Sequence, residues 1–140
     1  MTPFIQKLIE RPCFTVSTES SVGDVVDMLF KHNIGAVVVV NAAGDVEGII
    51  SERDIVRRLG SVEDVRSLAT SELMSRNVIC ISTNATSSEL MKIMTEHKCR
   101  HVPILNEGQL AGMVSIGDVV KRLFEKFETE AEQMRIFINS

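Results

Sequence analysis

Two short runs place a hydroxyl and a carboxylate at the same spacing, Ser51-Glu52-Arg53-Asp54 and Ser115-Ile116-Gly117-Asp118. Each follows an apolar stretch and stands where a helix would start. Free backbone N–H groups and the positive end of the helix dipole gather at such a start, so a phosphate is favoured there and a serine hydroxyl adds a donor. The same pattern is also an ordinary cap, with serine as N-cap and an acidic residue three positions on. One carboxylate can do both. Arg53, Arg57 and Arg58 form a basic edge on the first of these helices, and His32 and His97 close amphipathic stretches, where histidine commonly caps a C-terminus. Cys13, Cys80 and Cys99 have no C-x-x-C spacing and cannot all pair. They read as buried thiols of a reducing compartment, the cytoplasm by default, and not as metal ligands.

The background composition narrows the classes. The chain has 140 residues, 44% hydrophobic and 24% charged, which suits one packed unit and excludes a disordered or collagen-like chain. A formal charge of −4 with no Trp or Tyr removes both the electrostatic excess and most of the stacking rings of nucleic-acid binders. The apolar run 36–40 is far too short for a bilayer span, so neither a membrane nor a nucleic acid is expected as partner.

The chain contains one half twice. Val16-Ser17-Thr18 recurs as Ile81-Ser82-Thr83, His32 as His97, Val37 as Val102 and Asn41 as Asn106, all 65 residues apart. Gly44, Gly48, Ser51, Asp54, Arg58 and Leu59 then recur 64 residues on, as Gly108, Gly112, Ser115, Asp118, Arg122 and Leu123. The lost residue falls between Asn41 and Gly44, in a turn that tolerates it as a strand would not. Each half reads as strand, helix, hairpin and helix. The first strands are expected near 14–17 and 78–82. Val22, Val25, Val26, Leu29 and Phe30 give one helical stripe capped by Ser21, while Leu90, Ile93, Met94 and His97 give another after the capping box Thr86-Ser87-Ser88-Glu89. Hairpins are expected from 36–40 with 46–50 and from 101–105 with 109–114. The closing helices start after Ser51 and Ser115, and the second runs on through Phe124, Phe127, Met134 and Phe137. Residues 3–10 read as a short helix, and 61–76 as a helical connection that turns Val62, Val65, Leu68 and Leu73 inward. The boundaries expected are 10–60 for the first repeat, 61–76 for the connection, 77–125 for the second repeat and 126–140 for a helical extension, all within one module, 1–140. The fold class is α/β (α+β): two β-α-β-β-α repeats packed with pseudo-twofold symmetry. Neither half alone buries enough apolar area, and the pairing leaves related clefts suited to a small ligand.

Gly48-Ile49-Ile50-Ser51-Glu52-Arg53-Asp54 and Gly112-Met113-Val114-Ser115-Ile116-Gly117-Asp118 resemble the signature of the CBS domain. Present twice and in register with the whole repeat, it identifies the chain as similar to a stand-alone CBS pair, or Bateman module, over roughly residues 10–125. His97-Lys98-Cys99-Arg100-His101-Val102-Pro103 belongs to the same resemblance. The family implies clefts that bind AMP, ATP, NAD or S-adenosylmethionine, with Asp54 and Asp118 on the ribose hydroxyls. The chemistry agrees, because an ionised carboxylate is acceptor-only and can take both hydrogens of a cis diol. For the adenine the resemblance points to Cys13, Phe14, Ile34, Gly35 and Ala36 in one half and to Val78, Ile79, Cys99, Arg100 and His101 in the other. Arg100 with His101 forms a cationic pair suited to a phosphate, and Arg53 and its neighbours could reach a phosphate or a second subunit. The clefts should differ: Arg100-His101 stands where the first half has Gly35-Ala36, Arg53 where the second has Gly117, and Pro103 where the first has Val38.

No Walker loop, Gly-x-Ser-x-Gly, metal cluster or carboxylate pair set for acid–base work occurs in the sequence. The expected function is therefore a non-catalytic sensor that binds an adenine nucleotide and signals to another protein, as a homodimer in keeping with the resemblance. A ligand-free interaction scaffold and a nucleotide-processing enzyme are the alternatives.

Overall fold

The computed structural model describes all 140 residues, Met1–Ser140. Helix α1 (Pro3–Glu10) leads into the first repeat: β1 (Thr15–Ser17), α2 (Val22–His32), β2 (Ala36–Val40), β3 (Val46–Ser51) and α3 (Glu52–Leu59). A 3-10 turn (Val65–Ser67) and α4 (Thr70–Leu73) connect to the second repeat: β4 (Ile81–Ser82), α5 (Ser87–His97), β5 (His101–Asn106), β6 (Gln109–Ser115) and α6 (Ile116–Asn139). Each repeat holds one three-stranded mixed sheet, ordered β1-β2-β3 and β4-β5-β6. In each the first strand runs parallel to the second and the last two form an antiparallel hairpin.

Local chemistry explains the elements. Ala36, Val37, Val38 and Val39 are all buried, the unbroken apolar run of a strand covered on both faces. The first hairpin turns on Asn41, whose side-chain oxygen accepts from the Ala43 and Asp45 N–H groups, and on Gly44 at φ 87°. The second is one residue shorter and closes on Glu107 and Gly108 at φ 51° and 81°, the two left-handed residues that a tight hairpin needs. Both hairpins carry a register shift at the same place, Val39/Val40 and Ile104/Leu105. Asn33 and Lys98 end α2 and α5 in the left-handed conformation.

Some expectations needed correction, among them the place of His97 in the stripe of α5, since its side chain is exposed. Phe30 is 89% exposed: it lies at the edge of the stripe made by Val22, Val25 and Leu29, and in the last turn of α2, beyond the cover of the sheet. The first strand of the second repeat is only Ile81–Ser82, although it was expected from residue 78 on. In the first repeat the Val38 N–H bonds the Phe14 carbonyl at 3.4 Å. The residue in the place of Val38 is Pro103, which has no N–H to give, so the segment before Ile81 joins no ladder.

The two cores are closed crosswise. Leu73, Met74 and Val65, which precede the second repeat, belong to the core of the first, beside Val16, Val25, Val37 and Ile50. Ile5 and Leu8, which precede the first repeat, belong to the core of the second, beside Leu90, Val102, Ile104 and Val114. Backbone bonds fix both attachments: Thr70 N–H to the Ser20 carbonyl at 2.8 Å, and Thr2 N–H to the Thr83 carbonyl at 2.9 Å.

Gly48 shows what this crossing demands. A Cβ there would lie 2.7 Å from the Ser75 carbonyl oxygen and 2.9 Å from the Met74 sulfur, whereas one on Gly112 would meet Ile9 no closer than 3.4 Å. Gly48→Ala should therefore destabilise the fold by about 1–3 kcal/mol, the usual scale of overpacking, and Gly112→Ala by clearly less. Urea unfolding of the two variants checks the contrast, and equal losses would contradict it.

Candidate functional site

At the end of each hairpin the chain leaves the sheet through a serine and enters a helix. Ser51 caps α3: its hydroxyl accepts from the Asp54 N–H at 3.4 Å, while the Ser51 N–H and hydroxyl donate to Asp54 Oδ2 at 2.8 and 3.0 Å. Ser115 and Asp118 repeat the arrangement on α6 at 3.2, 2.8 and 2.9 Å. The capping role is thus present in both halves, and it commits each serine hydroxyl to its aspartate and not to a phosphate. What remains differs between the halves. No protein donor reaches Asp54 Oδ1.

Asp118 is gripped on both oxygens by Arg11, whose guanidinium donates to Oδ1 at 2.9 Å and to Oδ2 at 2.6 Å, and also to the Met113 carbonyl at 2.9 Å. Burial alone would raise the Asp118 carboxyl. The hydrogen bonds from Arg11 and from the Ser115 backbone and hydroxyl outweigh it and hold the group below its usual range.

Asp54 lines a cleft of about 810 Å³, within the size range of small-ligand sites. Gly35, Ser51, Arg53 and Asp54 come to it from the first repeat, and Val78, Ile79, Cys99, Arg100 and His101 from the second. The crosswise closure causes this mixture: the segment after α4, held on β3 by the Ser75–Ile49 backbone pair at 2.8 and 3.0 Å, runs past the start of α3 before it joins the second sheet. Gly35 allows the close approach, since a Cβ there would sit 2.8 Å from Glu52 Oε1. The Gly35 carbonyl in turn accepts the Glu52 N–H at 2.9 Å. Because Pro103 donates nothing, no backbone N–H takes the Ile79 carbonyl.

Four cationic side chains, Arg53, Arg57, Lys98 and Arg100, stand in the cleft wall against two carboxylates, Glu52 and Asp54. His101 adds little charge. Burial pushes its imidazole down, and Arg100 pushes the same way, against the weaker upward pull of Asp118, Glu52 and Asp54. The cationic pair expected of Arg100 and His101 is therefore carried near neutral pH by Arg100. Cys99 also lines the cleft, and burial pushes its thiol up, away from the thiolate that redox chemistry needs.

Not every residue named from the sequence gathers here. Phe14 is stacked on His32, with ring centroids 3.8 Å apart. Cys13 is half-buried near Arg11, Ile34 packs on the first core, and Ala36 and Pro103 are buried in their strands. Ser115 and Asp118 stand with Arg11. In exchange, Ile49, Glu52, Ser75, Asn77, His97 and Lys98 line the Asp54 cleft. Lys98 had a legible signal, as the residue after an amphipathic helix. Asn77 and the partner of Asp118 had none, because they depend on which half meets which, whereas Glu52 stands between two residues already named.

Two copies of a β-α-β-β-α unit, with Ser-x-x-Asp at the head of each closing helix, define a tandem α/β repeat architecture. The chain belongs to the CBS domain family, which matches residues 5–61 and 69–125. It is similar to the CBS-domain protein ATU1752 from Agrobacterium tumefaciens, 41% identical with a TM-score of 0.77 over 84% of this chain and 90% of that one. It is also similar to CBSX3, a mitochondrial CBS domain-containing protein of Arabidopsis thaliana, at 30% identity over 87% of this chain, and it spans 62% of that relative's length. The CBS domain pair of MJ0100, solved with 5-methylthioadenosine and S-adenosyl-L-methionine, is 25% identical with a TM-score of 0.76 over 87% of this chain and 95% of that one. PAE2072 from Pyrobaculum aerophilum, solved with AMP, shares the fold at 24% identity and a TM-score of 0.74, over 81% of this chain and 88% of that one. No helix is long and apolar enough to cross a membrane.

The Arg11–Asp118 pair makes a prediction about acid. A carboxyl lowered in the folded state stabilises the fold above its unfolded pKa of about 3.9, and that share is lost as pH falls through the lower folded value. Arg11 is 47% and Asp118 18% exposed, which keeps the pair near the surface scale of about 1 kcal/mol. Arg11→Ala should be less stable than the natural chain by that order at pH 7, with the difference shrinking in acid. Denaturant unfolding at both pH values checks this, and a difference independent of pH would contradict it.

Proposed function

We propose that this chain is a non-catalytic sensor that binds an adenine nucleotide, AMP or ATP, in the Asp54 cleft and signals its presence to another protein. The observation that carries this is the free Oδ1 of Asp54, an unpartnered acceptor at the rim of a cation-lined cleft. A carboxylate so placed can accept from a ribose diol while its other oxygen stays on the cap. Arg53, Arg57, Lys98 and Arg100 are suited to phosphates, and one to three phosphates would suit their excess over Glu52 and Asp54. The open Ile79 carbonyl is suited to an amino group such as that of adenine. NAD and S-adenosylmethionine remain candidates of the same class, and the ligands of MJ0100 and PAE2072 support an adenosine core.

Signalling needs a difference between states. A ligand held by both repeats at once tightens their mutual packing, and a partner that prefers the tightened form would read it. A second copy of this chain is the other partner this reading includes. On α6, Val120, Phe124, Phe127, Ala131, Met134 and Ile138 recur at intervals of four and three, the spacing of a helix-pairing seam, and the large ones are 51–70% exposed. Light scattering should show a dimer that Phe127→Glu weakens, and a monomer at working concentration would remove this part.

Asp54→Ala should weaken AMP or ATP binding by tenfold to a hundredfold, about 1.5–3 kcal/mol for a lost charged hydrogen bond. Calorimetry against AMP, ATP, NAD and S-adenosylmethionine measures it. No heat with any of them would leave the scaffold alternative, and turnover of the bound nucleotide would establish an enzyme.

A further inference from the structure

The two aspartates are not equally free, and the difference at their carboxylates traces to one arginine. Arg11 and Arg76 occupy equivalent places, 65 residues apart and just before the first strand of each repeat. Arg76 turns back on its own helix and donates to the Ser71 carbonyl at 3.1 Å, so Asp54 keeps a free oxygen. Arg11 reaches across and takes both oxygens of Asp118. The helices that deliver them explain the difference: α4 ends at Leu73 and Ser75 then pairs with Ile49, whereas α1 continues to Glu10. The Met113 carbonyl, equivalent to that of Ile49, is left to the Arg11 guanidinium instead.

The aromatic positions differ between the halves as well. Ile79 and His97 both line the open cleft, but their equivalents Phe14 and His32 are stacked on one another at 3.8 Å.

We infer that Arg11 is an internal plug: its guanidinium stands in for a ligand at Asp118, so nucleotide fills the Asp54 cleft first, and Asp118 is freed for a ligand only when Arg11 leaves. This rests on the nucleotide reading given above and adds what sets occupancy. A ribose hydroxyl is a neutral donor, and to reach Asp118 it must displace a two-bonded, charge-assisted pair with better geometry. At Asp54 Oδ1 there is no protein donor to displace.

Calorimetry with AMP, and in parallel with ATP, on five proteins tests this: the natural chain, Arg11→Ala, Arg11→Gln, Asp54→Ala and the double variant Arg11→Ala/Asp54→Ala. Arg11→Gln keeps the bulk of the side chain in case the alanine variant folds poorly, and a thermal melt reports on that. The expected result is one nucleotide per natural chain, two in either Arg11 variant, at least tenfold weaker binding in Asp54→Ala, and one regained in the double variant. The inference is overturned if Asp54→Ala still binds one nucleotide at full strength with Arg11 in place. It is equally overturned if the Arg11 variants gain no site, or bind more weakly at their single site, which would make Arg11 a ligand contact. If none of the five proteins binds either nucleotide, the nucleotide reading itself fails. If the natural chain binds one and the Arg11 variants also bind one, that reading stands and only the plug is lost.

Discussion

The structure depends on the crosswise closure of its two cores. Each half has a sheet whose outer apolar surface is too large to leave bare and too small to close alone, and each is closed by the helix that leads into the other half. Ile5 and Leu8 seal the second repeat, and Leu73 and Met74 the first. Burying four such side chains supplies on the order of 6–12 kcal/mol at about 1.5–3 each before entropy is counted, comparable with the whole net stability of a small domain. The core of the second half therefore depends on the helix that precedes the first.

The same constraint creates the clefts. A chain that closes one core and then enters the other sheet must pass the head of the first half's last helix on its way. That passage sets Val78 and Ile79 opposite Asp54, and Arg11 opposite Asp118. Gly48 is the place where the connecting segment comes too close for a Cβ, so the glycine before the serine cap belongs to the crossing as much as to the site. In each half Oδ2 of the aspartate orders the helix start, while Oδ1 is free at Asp54 and taken by Arg11 at Asp118.

Much of this was legible in the sequence, because repetition and periodicity are local properties. The doubled Ser-x-x-Asp, both hairpins, the one-residue shortening of the second turn and the long α6 follow from residue types and spacing. Half of the site follows too, since Gly35, Ser51, Arg53 and Asp54 lie on one side of the cleft. The assignment of halves does not follow. Nothing in the spacing tells whether Val78 faces Asp54 or Asp118, because that is decided by which core the connecting helix closes. The plug by Arg11 was hidden for the same reason, a contact across 107 residues that hinges on α1 running to Glu10. Phe30 misled because a stripe predicts a face and not how far the sheet beneath it extends. The shortened β4 could have been read, since Pro103 stands where a ladder donor was needed.

The central claim is that the free oxygen of Asp54 holds a sugar hydroxyl. Comparing AMP with its 2′-deoxy analogue, in the natural chain and in Asp54→Asn, tests it most directly, because the ratio of affinities isolates the hydroxyl from the base and phosphate. The natural chain should prefer AMP by about tenfold, the scale of one hydrogen bond to a charged group, and the variant should lose most of that preference. Equal preference in both proteins would show that the hydroxyl is recognised elsewhere, or not at all, and would contradict the account.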